Sequence, residues 1–172
     1  MNILVTDAEY KHTLAAVRSL GSKGHYVIAG STSPSALSFH SKFCNERLLY
    51  PNPQNEQEFI DFLMEYGMKH KVDVILPVGY NANVAVSRNK KILNEIAHIP
   101  VADFNAMQIA LNKKKSMEFA QECGIQIPQT YSSPENLQNF PIVVKHVLGT
   151  GNVRFINNKT EFSNIDLRDT LI

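Results

Sequence analysis

The feature that most constrains this chain is an early change of hydrophobic period. Residues 2–6 (NILVT) form a short, continuous apolar run with a β-branched bias. A run that is apolar on both faces is the pattern of a strand buried in a parallel sheet. Leu14, Val17 and Leu20 then recur at helical spacing over residues 11–23, with Gly21 and Gly24 as stop signals. Residues 25–31 (HYVIAGS) return to a strand pattern. Strand, helix and strand in quick succession make a βαβ unit, whose crossover is expected to be right-handed.

The rhythm repeats further on. SPSA at 33–36 opens a short helical turn, and ERLLYP at 46–51 reads as a brief strand. Asn55 followed by Glu58 predicts a capping box for a helix that carries Phe59, Phe62, Leu63 and Tyr66 on one face and ends near Gly67. VDVILPV at 72–78 is the clearest strand, residues 83–97 read as helical, and IPVA at 99–102 reads as another short strand. The expected fold class is therefore α/β, a Rossmann-like parallel sheet with helices on both faces over residues 1–102.

From Asp103 the pattern changes, and residues 103–172 read as a second, α+β unit. DFNAMQIALN and KKKSMEFAQECG predict two helices in succession, the second ended by Gly124. IQIPQTY then runs extended with Pro128 inside it, and Ser133-Pro134-Glu135 predicts a brief helical turn. FPIVVKHVLGTGNVRFI at 140–156 reads as an antiparallel hairpin joined by a tight turn.

Composition narrows the functional classes. The formal net charge is +1, which leaves no broad electrostatic footprint for nucleic acid or an anionic membrane. Cys44 and Cys123 lie far apart, in no metal-ligand spacing, which fits a reducing compartment better than a disulfide scaffold. The start, MNILVTDAEY, lacks a basic region followed by a long apolar one, and no apolar run approaches membrane-spanning length. A cytoplasmic protein is expected.

The first strand is followed by Asp7-Ala8-Glu9-Tyr10-Lys11-His12. A dinucleotide fingerprint needs glycines there, because only glycine lets the backbone approach a pyrophosphate closely. This loop has none, and its two carboxylates repel phosphate, so binding of NAD or FAD is not expected. Ligands still collect at the C-terminal ends of parallel strands. Those ends offer Asp7, Glu9, Ser31 and Asn81 as candidate contacts for a small polar substrate, although serine and asparagine also favour loops and caps for their own sake.

The second half holds three features that ask for one explanation. Lys113 opens a helix, Lys145 sits inside the apolar strand PIVVK, and Gly149-Thr150-Gly151-Asn152 follows it. A lysine buried between valines is costly unless an anion meets it, and glycines in a turn expose N–H groups that can cradle phosphate. Each piece alone also has an ordinary reading: a snorkelling edge lysine, a plain hairpin turn, a solvated helix start.

The order of these pieces resembles the opening of an ATP-grasp domain. In that family a "DK" or "DR" pair opens a helix ending in "GIPxP", here Asn112-Lys113 and Gly124-Ile125-Gln126-Ile127-Pro128. An apolar strand then ends in "VVKP", here Val143-Val144-Lys145-His146, and a glycine-rich loop follows. His146 replaces the usual proline, Arg154 stands where a further glycine is common, and Asn112 replaces the acid. The preceding α/β unit resembles the pre-ATP-grasp domain of carbamoyl-phosphate-synthase-like and related carboxylate–amine ligases.

The resemblance implies that Lys113 and Lys145 contact ATP phosphates, with Lys145 also near the adenine, and that residues 149–152 fold over the β- and γ-phosphates. It implies a small carboxylate substrate activated as an acyl phosphate, and ATP with Mg2+ as the cofactors of the complete enzyme. It gives no catalytic residue and no metal ligand within these 172 residues, since the family's acidic adenine hinge and magnesium-binding Glu and Asn come later. The expectation is an N-terminal part of a ligase that neither turns over nor binds ATP tightly alone. The alternatives are a non-catalytic Rossmann-like binding module, or a split subunit that completes an ATP site with another chain. Self-association into a homo-oligomer stays open.

Overall fold

The computed structural model describes residues 1–131, 137, 139–148, 153–162 and 169–172. It divides into two compact units, Met1–Phe104 and Asn105–Ile172.

In the first unit, strands β1 (Asn2–Val5), β2 (Tyr26–Ser31), β3 (Glu46–Leu49) and β4 (Val74–Leu76) form one sheet in the order β3-β2-β1-β4. All three pairings are parallel, with Ile3 opposite both Val27 and Val74. The crossovers are α1 (Lys11–Ser22), a 3-10 turn at Leu37–His40, and α2 (Glu56–His70); α3 (Tyr80–Arg88) and α4 (Lys90–Leu93) follow β4.

The continuous apolar strands explain why helices cover both faces. Ile3 and Val5 of β1 pack with Val17 of α1 and Phe39, whereas Leu4 packs with Phe59 and Leu63 of α2 and Val86 of α3. Successive strand residues point to opposite faces, so each face needs its own cover. Leu4 and Val5 are fully buried, and each such side chain is worth about 1.5–3 kcal/mol relative to exposure.

Several local expectations are revised. Gly21 lies inside α1, where a Cβ would come within 2.5 Å of Phe43 Cβ; the chain turns instead at Gly24, with φ +81. Gly67 lies inside α2, facing Ile96, and the helix is closed by Lys71 in the left-handed region at φ 51. Asn55 makes no side-chain bond to the backbone; its amide donates to the Glu58 carboxylate, so the capping box is replaced by a side-chain pair. The first helical turn after β2 forms at Leu37–His40, later than residues 33–36.

Residues 99–102 do not form a strand. The approach to the sheet edge is a single parallel bridge from His98 to Val74. Pro100 cannot donate to a ladder, and the Val101 N–H turns back to Ile99 O at 2.9 Å.

The helix α5 (Phe104–Leu111) leads into the second unit, followed by α6 (Lys113–Glu122), β5 (Ile142–His146), β6 (Val153–Ile156), α7 (Lys159–Phe162) and β7 (Thr170–Leu171). Asn112 caps α6 by accepting the Lys115 N–H at 3.0 Å, the role for which asparagine is favoured. Gly124 ends it at φ +74, with the Ile125 N–H returning to Ala120 O. The sheet order is β6-β5-β7, both pairings antiparallel. Ile142, Val144, Ile156 and Phe162 form its core.

The connection after β5 is described only as far as Leu148. Val147 accepts the Lys113 N–H at 2.9 Å and donates to Asp169 O at 2.8 Å. The expected turn at Ser133-Pro134-Glu135 and the loop Gly149-Thr150-Gly151-Asn152 lie outside the described residues.

Candidate functional site

Two places carry the candidate residues, one in each unit. In the first unit the C-terminal ends of the strands are knotted together around Asp7. Its backbone is left-handed, at φ 58, and its side chain is buried. The carboxylate accepts the Gly79 N–H at 2.7 Å and the Thr6 hydroxyl, while its own N–H donates to Tyr50 Oη at 2.7 Å. Thr6 Oγ1 accepts the Val78 N–H, and Thr13 Oγ1 donates to Asp7 O at 2.7 Å. Burial is the main cause that pushes the Asp7 carboxyl above its ordinary range; the bonds from Thr6 and Gly79 oppose it, and the nearby Glu9 adds to it. Burial, and then the Asp7 charge, push the Tyr50 phenol up in turn.

The other three candidates of this crevice are placed differently. Ser31 is buried and its hydroxyl donates to Glu9 Oε2 at 2.7 Å, which holds an exposed carboxylate over the end of β2. Asn81 is exposed in the first turn of α3, and among the described residues no hydrogen bond joins it to Asp7, Glu9 or Ser31. The structure thus pairs Glu9 with Ser31 and ties Asp7 into the framework. Thr6, Tyr50 and Gly79, which complete the knot, carry no motif of their own; the signal for them is the short distance in sequence from each to a strand end.

In the second unit the register of β5 decides what Lys145 faces. Lys145 stands opposite Val153 on one side and Leu171 on the other, and Val143 stands opposite Phe155. Directly paired residues share a face of a sheet. This face therefore carries Val143, Val153, Phe155 and Leu171 around a single lysine, while Ile142, Val144 and Ile156 point into the core. Phe155 is 71% exposed and Val153 49%. A cavity of about 460 Å³ opens beside Lys145, lined also by Val143, Met117, Thr130, Tyr131 and Leu171. The α6 start is attached to the same strand's continuation through the Lys113 N–H and Val147 O. Alternating burial in IVVKH could have pointed to Val143 as Lys145's companion; nothing local marks Phe155.

Among the described residues, no group of three or more His, Cys, Asp or Glu converges as metal ligands. No described helix is long and apolar enough to cross a membrane.

The chain superimposes on L-amino acid ligase from Bacillus licheniformis with a TM-score of 0.73, at 18% identity, over 99% of this chain and 43% of that one. The architecture is that of the N-terminal region of ATP-grasp ligases. N5-carboxyaminoimidazole ribonucleotide synthetase from Thermotoga maritima shares this ATP-grasp fold at a TM-score of 0.66 and 20% identity, over 99% of this chain and 44% of that one. So does the biotin carboxylase domain of the Hydrogenobacter thermophilus 2-oxoglutarate carboxylase, solved with MgADP, ADP and bicarbonate, at 0.66 and 15% identity over 94% and 38%. The chain thus spans less than half the length of the ATP-grasp structures it matches. No protein-family model and no curated protein matches the sequence.

Proposed function

We propose that residues 1–172 are the N-terminal part of an ATP-dependent carboxylate–amine ligase, of the carbamoyl-phosphate-synthase-like kind, that works through an acyl phosphate. The observation that carries this reading is Lys145, alone among apolar side chains on the open face of β5 and beside a cavity of about 460 Å³. A flat apolar wall with one cation suits a heteroaromatic base joined to an anion: Val143 and Phe155 would cover the adenine, and Lys145 would reach its first phosphate.

Lys113 and the N–H groups of residues 149–152 would then meet the remaining phosphate oxygens. Their contribution is electrostatic, as charge gathers on the transferred phosphoryl group and its leaving oxygen. A substrate carboxylate oxygen bonds to the γ-phosphorus, ADP leaves, and an amine then displaces phosphate from the acyl carbon. Mg2+, when bound, neutralises charge on the polyphosphate; in this reading its ligands lie in the part of the ligase beyond these residues. One wall of a site binds weakly, so the 172 residues alone hold ATP loosely and do not turn over. Glu9 and Ser31 are the substrate-side candidates.

The test is an amide-resolved NMR titration of this chain with Mg-ATP at millimolar concentration, repeated with Lys145→Ala. Shift changes at Lys113, Val143, Lys145, Phe155 and residues 149–152 that disappear in the variant support the reading. Changes centred on Glu9 and Ser31, or none anywhere, overturn it, as would turnover of ATP by these residues alone.

A further inference from the structure

A second cavity, of about 350 Å³, adjoins the one beside Lys145, and Lys114, Glu118 and Gln121 of α6 line it. Those three residues recur at helical spacing along one face of α6, so the cavity follows the helix. The two cavities share five lining residues: Met117, Thr130, Tyr131, Leu171 and Ile172. These five form the partition between the two spaces.

Most of the partition is fixed. Leu171 is buried in β7, where it pairs with Lys145. The Tyr131 N–H donates to Ile172 O at 2.9 Å, which ties two further segments of the wall through the main chain. Met117 comes from α6 and is only half-buried. Its Sδ lies 3.6 Å from Thr130 Oγ1, a hydroxyl that also lies 3.0 Å from Pro128 O, the better acceptor of the two. Methionine is unbranched, with three rotatable bonds and a soft sulfur, and adapts readily to the space around it. Met117 is thus the side chain of the wall that can yield.

We propose that Met117 sets the size of the base admitted beside Lys145. While its side chain stands in the partition, the first cavity takes an unsubstituted adenine and refuses a base that carries a bulky apolar group. Shortening Met117 lets such a group pass into the second cavity, where Ile127 and Leu171 supply apolar contact. The proposal rests on the nucleotide reading and adds to it a residue that selects among nucleotides. The first cavity, at about 460 Å³, is toward the small end of the range of about 300–1,000 Å³ for small-molecule pockets, so a single side chain in its wall decides what fits.

Amide-resolved NMR titration of this chain with ATP, and with ATP benzylated at N6, C2 or C8, reads the effect in the unaltered protein and in Met117→Ala. In the unaltered protein each benzyl analogue is expected to bind at least about tenfold more weakly than ATP, because it overfills a packed wall. In Met117→Ala at least one analogue is expected to reach the affinity of ATP, with new shift changes at Gln121 and Ile127, which line the second cavity alone. Analogues that bind the unaltered chain as well as ATP does, or that gain nothing in the variant, overturn the role of Met117 while ATP binding leaves the nucleotide reading in place. Failure of ATP itself to bind overturns the nucleotide reading and this proposal with it. Should Met117→Ala fail to fold, Met117→Val also removes the sulfur and the reach of the side chain, and the same outcomes decide.

Discussion

The Gly79 amide lies 2.7 Å from Asp7 Oδ2, so close that a Cβ at position 79 would stand 2.4 Å from Asp7 Oδ1. Two loops separated by most of the first unit's sequence thus meet without room for a methyl group. Gly79→Ala is expected to cost at least about 2 kcal/mol, since the atom it strikes belongs to a buried, bonded carboxylate rather than a flexible tip. Urea unfolding followed by circular dichroism measures it; a cost within experimental scatter would contradict this packing.

The same carboxylate sets a pH dependence. Burial raises the Asp7 pKa in the native protein above its ordinary 3.8. The native state therefore holds the proton more tightly, and the stability this adds is fully present below 3.8 and is lost as pH rises through the raised native value. Asp7→Asn should flatten that part of the profile, keep an acceptor for Gly79 and tolerate the left-handed backbone. Asp7→Ala should likewise flatten the profile and leave the Gly79 N–H unpaired, costing about 1–3 kcal/mol in acid and less as pH rises through the raised native value. Unfolding curves at stepped pH for the three proteins separate these cases.

On the proposed reading, Phe155 would separate nucleotide binding from folding on β6. With the side chain 71% exposed, Phe155→Ala should change the stability of the second unit by no more than about 0.5 kcal/mol, while weakening adenine-nucleotide binding. Val144→Ala, directed into the core beside it, should cost about 1–3 kcal/mol. Thermal melts paired with nucleotide titration compare the two; strong destabilisation by Phe155→Ala would mean that the face is already covered.

Asn112 is a cap that can be improved. Replacing it with Asp keeps an acceptor for the Lys115 N–H and adds a negative charge at a helix start, a gain of about 0.3–1 kcal/mol. Asn112→Ala should lose about 1 kcal/mol. Both are read from the melting of the second unit, and an equal response to the two substitutions would deny the capping role.

Ser38 is buried with its hydroxyl unpaired among the described residues. Ser38→Ala removes an unsatisfied polar atom and fills the same space, so stability should stay level or rise by up to about 1 kcal/mol. A clear loss in denaturant midpoint would reveal a partner, such as water, that the hydroxyl needs.

The strands were legible where both faces are buried, because runs such as NILVT and VDVILPV need no tertiary information to stand out. Helix ends were less so. Glycine is a stop signal only when the chain turns there, and Gly21 and Gly67 serve instead as gaps for Phe43 and Ile96. IPVA has strand composition, but Pro100 and the side chains that seize its carbonyls keep it off the ladder. At the candidate sites, the sequence marked Lys145 through its apolar neighbours and Asp7 through its loop. It could not show that Asp7 is turned inward, since that depends on a tyrosine and a glycine from other strands' ends.

The order β3-β2-β1-β4 places the first strand of the chain at the middle of its sheet, with Ile3 paired to Val27 and Val74 at once. During synthesis, β1 can find its first neighbour early but must wait for residues 74–76 before its other edge is closed. At roughly 5–20 residues per second that wait lasts several seconds, far longer than a hairpin takes to form. For that interval an apolar strand edge is exposed on the nascent chain, and chaperones or misfolded pairings have their opportunity there.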